Sequence, residues 1–115
     1  SSVNAPRGSS EFDYTGLTAE PSICVRPPRV REACAALECK VTEVWRPSSS
    51  LKPDSVPFVV VGEVVGIFIR DDVLTNGLVD IAKTKPVSRL GYLDYAIIES
   101  SFRMMRPRWN TEPER

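Results

Sequence analysis

The 115-residue sequence contains no histidine. That removes the side chain most used as a general base and most used as a metal ligand. Any chemistry falls to carboxylates, tyrosine, cysteine, arginine, backbone groups or a bound cofactor. Cysteine is scarce as well: Cys24, Cys34 and Cys39 form no CxxC pair, and their number is odd. A disulfide framework shows an even count at conserved-looking spacing. Three thiols without a histidine leave too few ligands for zinc. The cysteines therefore read as unpaired thiols in a reducing, cytoplasmic compartment, with no metal. Net charge is absent too, because Lys+Arg and Asp+Glu are both 15. A nucleic-acid binder carries a basic face; here Arg26, Arg29 and Arg31 cluster around Pro27 and Pro28 and read as a solvated loop. No apolar run approaches the roughly 20 residues that a membrane span needs. No signal peptide is visible, and neither nucleic acid nor membrane is expected as a partner. The chain does not open on Met, and it reads as the interior of a longer protein or as a processed one.

Hydrophobic residues make up 42% and charged residues 26%, an ordinary balance for one small globular domain or part of a larger one. Residues 1–10 are small, polar and contain Gly and Pro, and read as a flexible arm. Residues 11–17 suit a short helical turn stopped near Gly16. Pro21, Pro27 and Pro28 make the next segment extended or irregular, since proline fixes φ and lacks the N–H donor. Val30, Ala33, Cys34 and Leu37 follow helical spacing. From Ala35 the pattern changes, with Ala35, Leu37, Cys39 and Val41 alternating against Ala36, Glu38, Lys40 and Thr42. The expectation is a helical turn running into a strand that ends near Trp45 to Pro47, with Cys39 a small core residue.

Residues 47–57 form a Ser/Pro loop. Residues 58–69 (FVVVGEVVGIFI) carry the strongest strand signal, β-branched and apolar on both faces, as in a strand buried on both sides. Gly62 and Gly66 inside it imply bends, a bulge or a close backbone approach. Asp71 to Leu74 suit a short helical turn, Asn76 and Gly77 a tight turn, and Asp80 to Lys83 another short helix. Residues 86–92 read as a loop. A last strand is expected from about Tyr95 to Met105, with Ala96, Ile98, Phe102 and Met104 on one face. A polar tail follows Pro107. The sum is three strands of about ten residues without a finished core, so further strands are required.

Two carboxylates stand out. Glu63 shares a strand face with Val61, Val65 and Ile67, where an unpaired carboxylate is costly. It reads as a buried Glu satisfied by an Arg or backbone N–H groups, or as a group shaping a pocket. Glu38 is similar but lies on a more polar face. Asp71 and Asp72 read as solvated acids at a strand end.

Five stretches, in order, resemble the flavin reductase-like family with the FMN-binding split barrel. They are EFDYTGLT at 11–18 with Pro21 and Ser22; PRVRE at 28–32 running into ALECK at 36–40; VGEVVGI at 61–67 with DDVL at 71–74; Asp80 with PVSRLG at 86–91 and Tyr95; and FRM at 102–104 before Arg106 and Pro107. The resemblance covers residues 11–107 and matches only the second half of the family's pattern. The family's first half carries the strands and loop that hold most of the FMN, including its phosphate. The sequence departs from the family at Tyr92, where a second Gly is usual, at Phe68, where His is common, and at Ala33 and Cys34.

The resemblance implies a mainly β fold: part of an antiparallel split β-barrel with short helical turns, incomplete without further strands. It implies an FMN-dependent oxidoreductase that accepts hydride from NADH or NADPH and passes it to flavin or a small acceptor. A homodimer, or pairing with an N-terminal half, is the implied assembly. The expected flavin-contacting residues are Arg89, Gly91, Tyr92 and Tyr95. Gly91 would let a backbone approach a flat ligand, an aromatic ring would cover one face, and Arg89 would pair with a phosphate or carboxylate. The other reading makes Arg89 a carbonyl cap and the tyrosines core residues. At the level of the protein, the alternative is a non-catalytic split-barrel module that pairs with another chain.

Overall fold

The computed structural model describes residues 6–109. The chain divides into two compact units, with the boundary between Asp71 and Asp72. Each unit is built from antiparallel two-stranded ribbons, and short helical turns punctuate them.

The first unit opens with α1 (Glu11–Thr15). Gly16 ends it in the left-handed conformation, with φ 70°, a backbone state that glycine adopts without a Cβ clash. Strands β1 (Ala19–Glu20) and β2 (Arg29–Val30) then pair, Ala19 with Val30 and Glu20 with Arg29. The proline-rich residues 21–28 bulge out between them as a strap. The base of the strap is tied three times. Arg31 N–H donates to the Thr18 carbonyl at 2.9 Å. The Arg31 guanidinium pairs with Glu20, and Glu32 accepts the Thr18 N–H with both oxygens at 3.0 Å.

Strands β3 (Ala35–Trp45) and β4 (Val59–Ile69) form the main ribbon, eleven residues each. The β-branched runs favour this pairing. Its register shifts twice, between Glu38 and Cys39 and between Val41 and Glu43. Val65 is the extra residue at the first shift and Thr42 at the second. Each shift falls at a glycine: Gly66 pairs with Glu38 and Gly62 with Val41. The glycines thus sit where the strand must bend, as their place in the sequence suggests.

The helical turn expected over residues 30–37 does not form. Val30 is held in β2, a turn occupies residues 31–34, and the Cys34 carbonyl accepts from Arg70 N–H at 2.9 Å, extending the β3–β4 ladder. Cross-strand bonding wins over a helical spacing that only four residues supply. The β4 faces are also not buried by this chain: Val60, Val61, Val64 and Ile67 are exposed, Ile67 to 66%. Cys39 is exposed rather than in a core, and the three cysteines are unpaired. Among the described residues only Glu38 and Val73 are buried. The ribbon presents its apolar surface outward, so the fold is mainly β and unfinished without further strands.

The 3₁₀ turn Pro53–Ser55 lies in the loop before β4, and a second one, Asp71–Val73, follows it. In the second unit, β5 (Leu74–Thr75) and β6 (Leu78–Val79) form a hairpin around Asn76 and Gly77. Their φ values of 52° and 76° are both positive, the mark of a tight hairpin turn whose twist matches its strands. Asp80 caps α2 (Ile81–Thr84), accepting from Ala82 N–H at 3.1 Å and from the Thr75 hydroxyl at 2.9 Å. These bonds, with the Thr75 hydroxyl foremost, hold its carboxyl below the usual aspartate range. Strands β7 (Val87–Arg89) and β8 (Tyr95–Ile97) form the last hairpin. Residues 86–92 are therefore half strand and half loop. The strand expected over 95–105 stops at Ile97, and Phe102 and Met104 lie exposed without regular structure. A strand needs a neighbour to bond with, and among the described residues none is offered beyond Ile98 N–H donating to the Pro86 carbonyl at 3.0 Å. Much of the expected arm (1–5) and tail (110–115) lies outside the described residues.

Asp80→Ala removes the cap of α2 and the anchor of Thr75 together. Faster amide exchange at Ala82 and across β5–β6, with the β3–β4 ladder unchanged, is the expected result by NMR or mass spectrometry.

Candidate functional site

The four residues singled out in the sequence fall on one hairpin. Arg89 ends β7 and Tyr95 begins β8, and the two are Cα partners across the ladder. Directly opposed residues point to the same side of a ribbon. The five-residue loop between them is closed by Leu90 N–H donating to the Asp94 carbonyl at 2.9 Å and Asp94 N–H donating to the Gly91 carbonyl at 3.1 Å. Gly91 stands open: a Cβ built there would meet no heavy atom within 4 Å. Among the described residues none makes the close approach expected at Gly91.

Tyr92 is the unusual member. Its φ is 57°, in the left-handed region that costs a non-glycine residue roughly 1–2 kcal/mol. Tyr92 is 95% exposed within this chain, and Tyr95 is exposed as well. The family resemblance puts a second glycine at this position, and the backbone here keeps the glycine geometry.

A second constellation joins distant segments and bears out the reading of Glu38 as a buried, satisfied carboxylate. Glu38, on β3, is 6% exposed. Its carboxylate accepts Ile23 N–H at 2.8 Å and Cys24 N–H at 2.6 Å. Those two amide bonds, Ile23 first, hold the carboxyl below the usual glutamate range; the Cys24 thiol and Arg29 act in the same direction, while burial opposes them. The strap is thereby fastened to the ribbon. Gly66 stands opposite, and a Cβ there would lie 3.0 Å from Glu38 Oε2 and 3.0 Å from Cys24 Sγ. Arg29 lies over the Phe68 ring, 3.7 Å from its centroid, a cation–π contact made where the family more often has His. A cleft of about 420 Å³ runs under the strap, walled by Ser22, Val25 and Pro27 and floored by Ala36 and Glu38. Ser22 closes the strap on itself by donating to the Pro27 carbonyl at 2.6 Å. The one sequence signal for this site was a Glu set in an otherwise small and apolar run, Ala35 to Cys39.

Glu63, by contrast, is exposed and directly opposes Lys40. Within this chain it is therefore not a buried carboxylate. Among the described residues no group of three or more His, Cys, Asp or Glu side chains gathers as a metal site. No helix among them is long and apolar enough to cross a membrane.

The comparisons with known proteins converge on one family. A family model described as a flavin reductase like domain matches residues 1–87, ending just before the β7–β8 loop. An uncharacterized protein of Halalkalibacterium halodurans is 35% identical over 107 residues, 93% of this chain and 51% of that protein. The structure of nitrilotriacetate monooxygenase component B from Bacillus cereus superposes with a TM-score of 0.76 at 25% identity, over 88% of this chain and 50% of its own. A flavin-reductase-type protein with a split barrel domain from Shewanella frigidimarina gives 0.71 at 26% identity, over 92% and 52%. The chain therefore spans about half the length of the relatives it matches.

Two substitutions test these geometries. Gly66→Ala gains about 0.5–1 kcal/mol of backbone entropy but overpacks the fastened Glu38 and Cys24, at about 1–3 kcal/mol. The pinned contacts make the overpacking dominate, so a net loss of stability is expected in urea denaturation. Tyr92→Gly relieves the left-handed backbone and is expected to stabilise the β7–β8 hairpin by about 1 kcal/mol, read by amide exchange at Leu90 and Asp94.

Proposed function

This chain belongs to the flavin reductase-like domain family, and we propose that it supplies one side of the flavin site of an oxidoreductase. The observation that carries the proposal is the β7–β8 hairpin, where Arg89 and Tyr95 face each other beside an open Gly91 and an exposed Tyr92. The flavin is FMN, and its electrons come from NADH or NADPH. When bound, the flavin supplies the redox chemistry, as cofactors do in such enzymes. The chain's own residues bind and orient. Arg89 offers a planar, permanently charged donor fork to a phosphate or carboxylate. Tyr92 and Tyr95 offer ring faces with few rotatable bonds to order. Gly91 leaves room for a flat ligand against the backbone. No histidine is needed in such a site, because orientation and hydrogen bonding do not require a protein general base.

Support for a flavin-related oxidoreductase comes from the family and from neighbours named as monooxygenase component B and flavin reductase. The acceptor is flavin or a small molecule. The protein acts in the cytoplasm as a homodimer or joined to an N-terminal half, and the outward apolar surface of β3 and β4 supports such joining. A second reading, a non-catalytic split-barrel module that pairs with another chain, is favoured by the outward apolar surface of β3 and β4.

The full-length protein that contains this chain, once purified, is expected to carry the visible flavin absorbance band or to acquire it with added FMN. A colourless protein that takes up no FMN sinks the proposal. Arg89→Ala is expected to weaken FMN binding at least about tenfold, the effect of losing one hydrogen bond to a charged group, measured by fluorescence titration. Unchanged affinity in Arg89→Ala and Tyr95→Phe together would remove the hairpin from the site.

A further inference from the structure

We propose that Glu38 is a proton-operated latch, which holds the 21–28 strap on the β3–β4 ribbon when ionised and lets it lift when protonated. The proposal rests on the first unit alone and not on the flavin reading. The latch has three parts from three segments. β3 supplies the carboxylate, 6% exposed. The strap supplies two consecutive amides, Ile23 and Cys24, at 2.8 and 2.6 Å. β4 supplies Gly66, directly across the ladder, whose missing Cβ leaves the space that Glu38 Oε2 and Cys24 Sγ occupy.

Few other contacts keep the middle of the strap down. The β1–β2 pairing and the Thr18, Arg31 and Glu32 bonds tie its base. The Ser22–Pro27 bond is internal to it. Ile23 is 92% exposed and anchors nothing by packing. The two amide bonds to Glu38 are thus the polar fastening between strap and ribbon. Both amides converge on one ion, and a charged acceptor holds N–H donors about twice as strongly as a neutral one.

The groups facing the carboxylate set the direction of the switch. From the strap, the Cys24 thiol donates to it; from β2, the Arg29 charge favours its ionised form. Gly66 brings no charge from β4, and Lys40 and Glu63 oppose each other farther along the ladder. All the favourable contacts act on the carboxylate form. The folded-state pKa is therefore below the unfolded one, so the fastening is complete above about 4.3, the ordinary glutamate value. It is lost as pH falls through the lower, folded value. Lifting the strap removes one wall of the cleft beneath it, so the latch also governs access to that cleft.

The test uses the whole chain, isotope-labelled, by NMR. The Glu38 carboxyl carbon and the Ile23 and Cys24 amides are expected to titrate with one shared midpoint below about 4.3. Amide protection at Ile23 and Cys24 should fall at that midpoint, while the β3–β4 ladder amides stay protected. In Glu38→Gln, protection at the two strap amides should be at least about tenfold lower at neutral pH and no longer follow pH. Strap amides that stay protected as Glu38 protonates would overturn the latch. Loss of strap and ladder protection at the same pH would overturn it too, because that is global unfolding. The wild-type titration decides the question even if Glu38→Gln does not fold.

Discussion

The first unit depends on the antiparallel ladder between β3 and β4. Its eleven-residue strands pair along their whole length, but not in one register. Two shifts bend the ribbon, and glycine stands at each. Without them the ribbon would run straight, and Glu38 would not face a strand position empty of side chain. The bend at Gly66 opens the space in which a carboxylate and a thiol lie side by side. The strap then has something to bind, since two of its amides reach that carboxylate. A backbone irregularity in one strand thus fixes a loop that begins some 40 residues earlier in the chain.

The second unit is organised differently. It has no long ladder, only two short hairpins and a capped helical turn. Asp80 serves as its hub, joining α2 to the β5–β6 hairpin through a single side chain. The β7–β8 hairpin keeps its tip exposed, with a tyrosine in a conformation that glycine would hold at no steric cost. Among the described residues nothing packs against that strained tip.

The ladder itself was legible from the sequence. Alternation from Ala35 and the β-branched run from 58 to 69 located β3 and β4 to within about a residue, because ten residues of pattern outweigh local exceptions. The tight turn at Asn76 and Gly77 and the stop at Gly16 were legible because glycine and asparagine tolerate positive φ better than other residues and here fall between patterned segments. The helical spacing at Val30 to Leu37 misled because it spans only two turns and ignores bonds to Thr18 and Arg70. The strand past Ile97 misled because alternation reports a face, not a partner. Family resemblance brings the β7–β8 residues together as a group, while Glu38 stands out as a carboxylate but without its donors. Its donors lie 14 and 15 residues away, and no spacing rule links them to it.

The position of Glu63 has a consequence for how the chain survives its own synthesis. It interrupts the apolar run of β4 and stands opposite Lys40 on a ribbon whose valines face outward. An uninterrupted run of that kind is a template for stacking with copies of itself. Opposite charges at its centre would be buried in each such stack, which disfavours stacking before neighbouring strands pair with the ribbon.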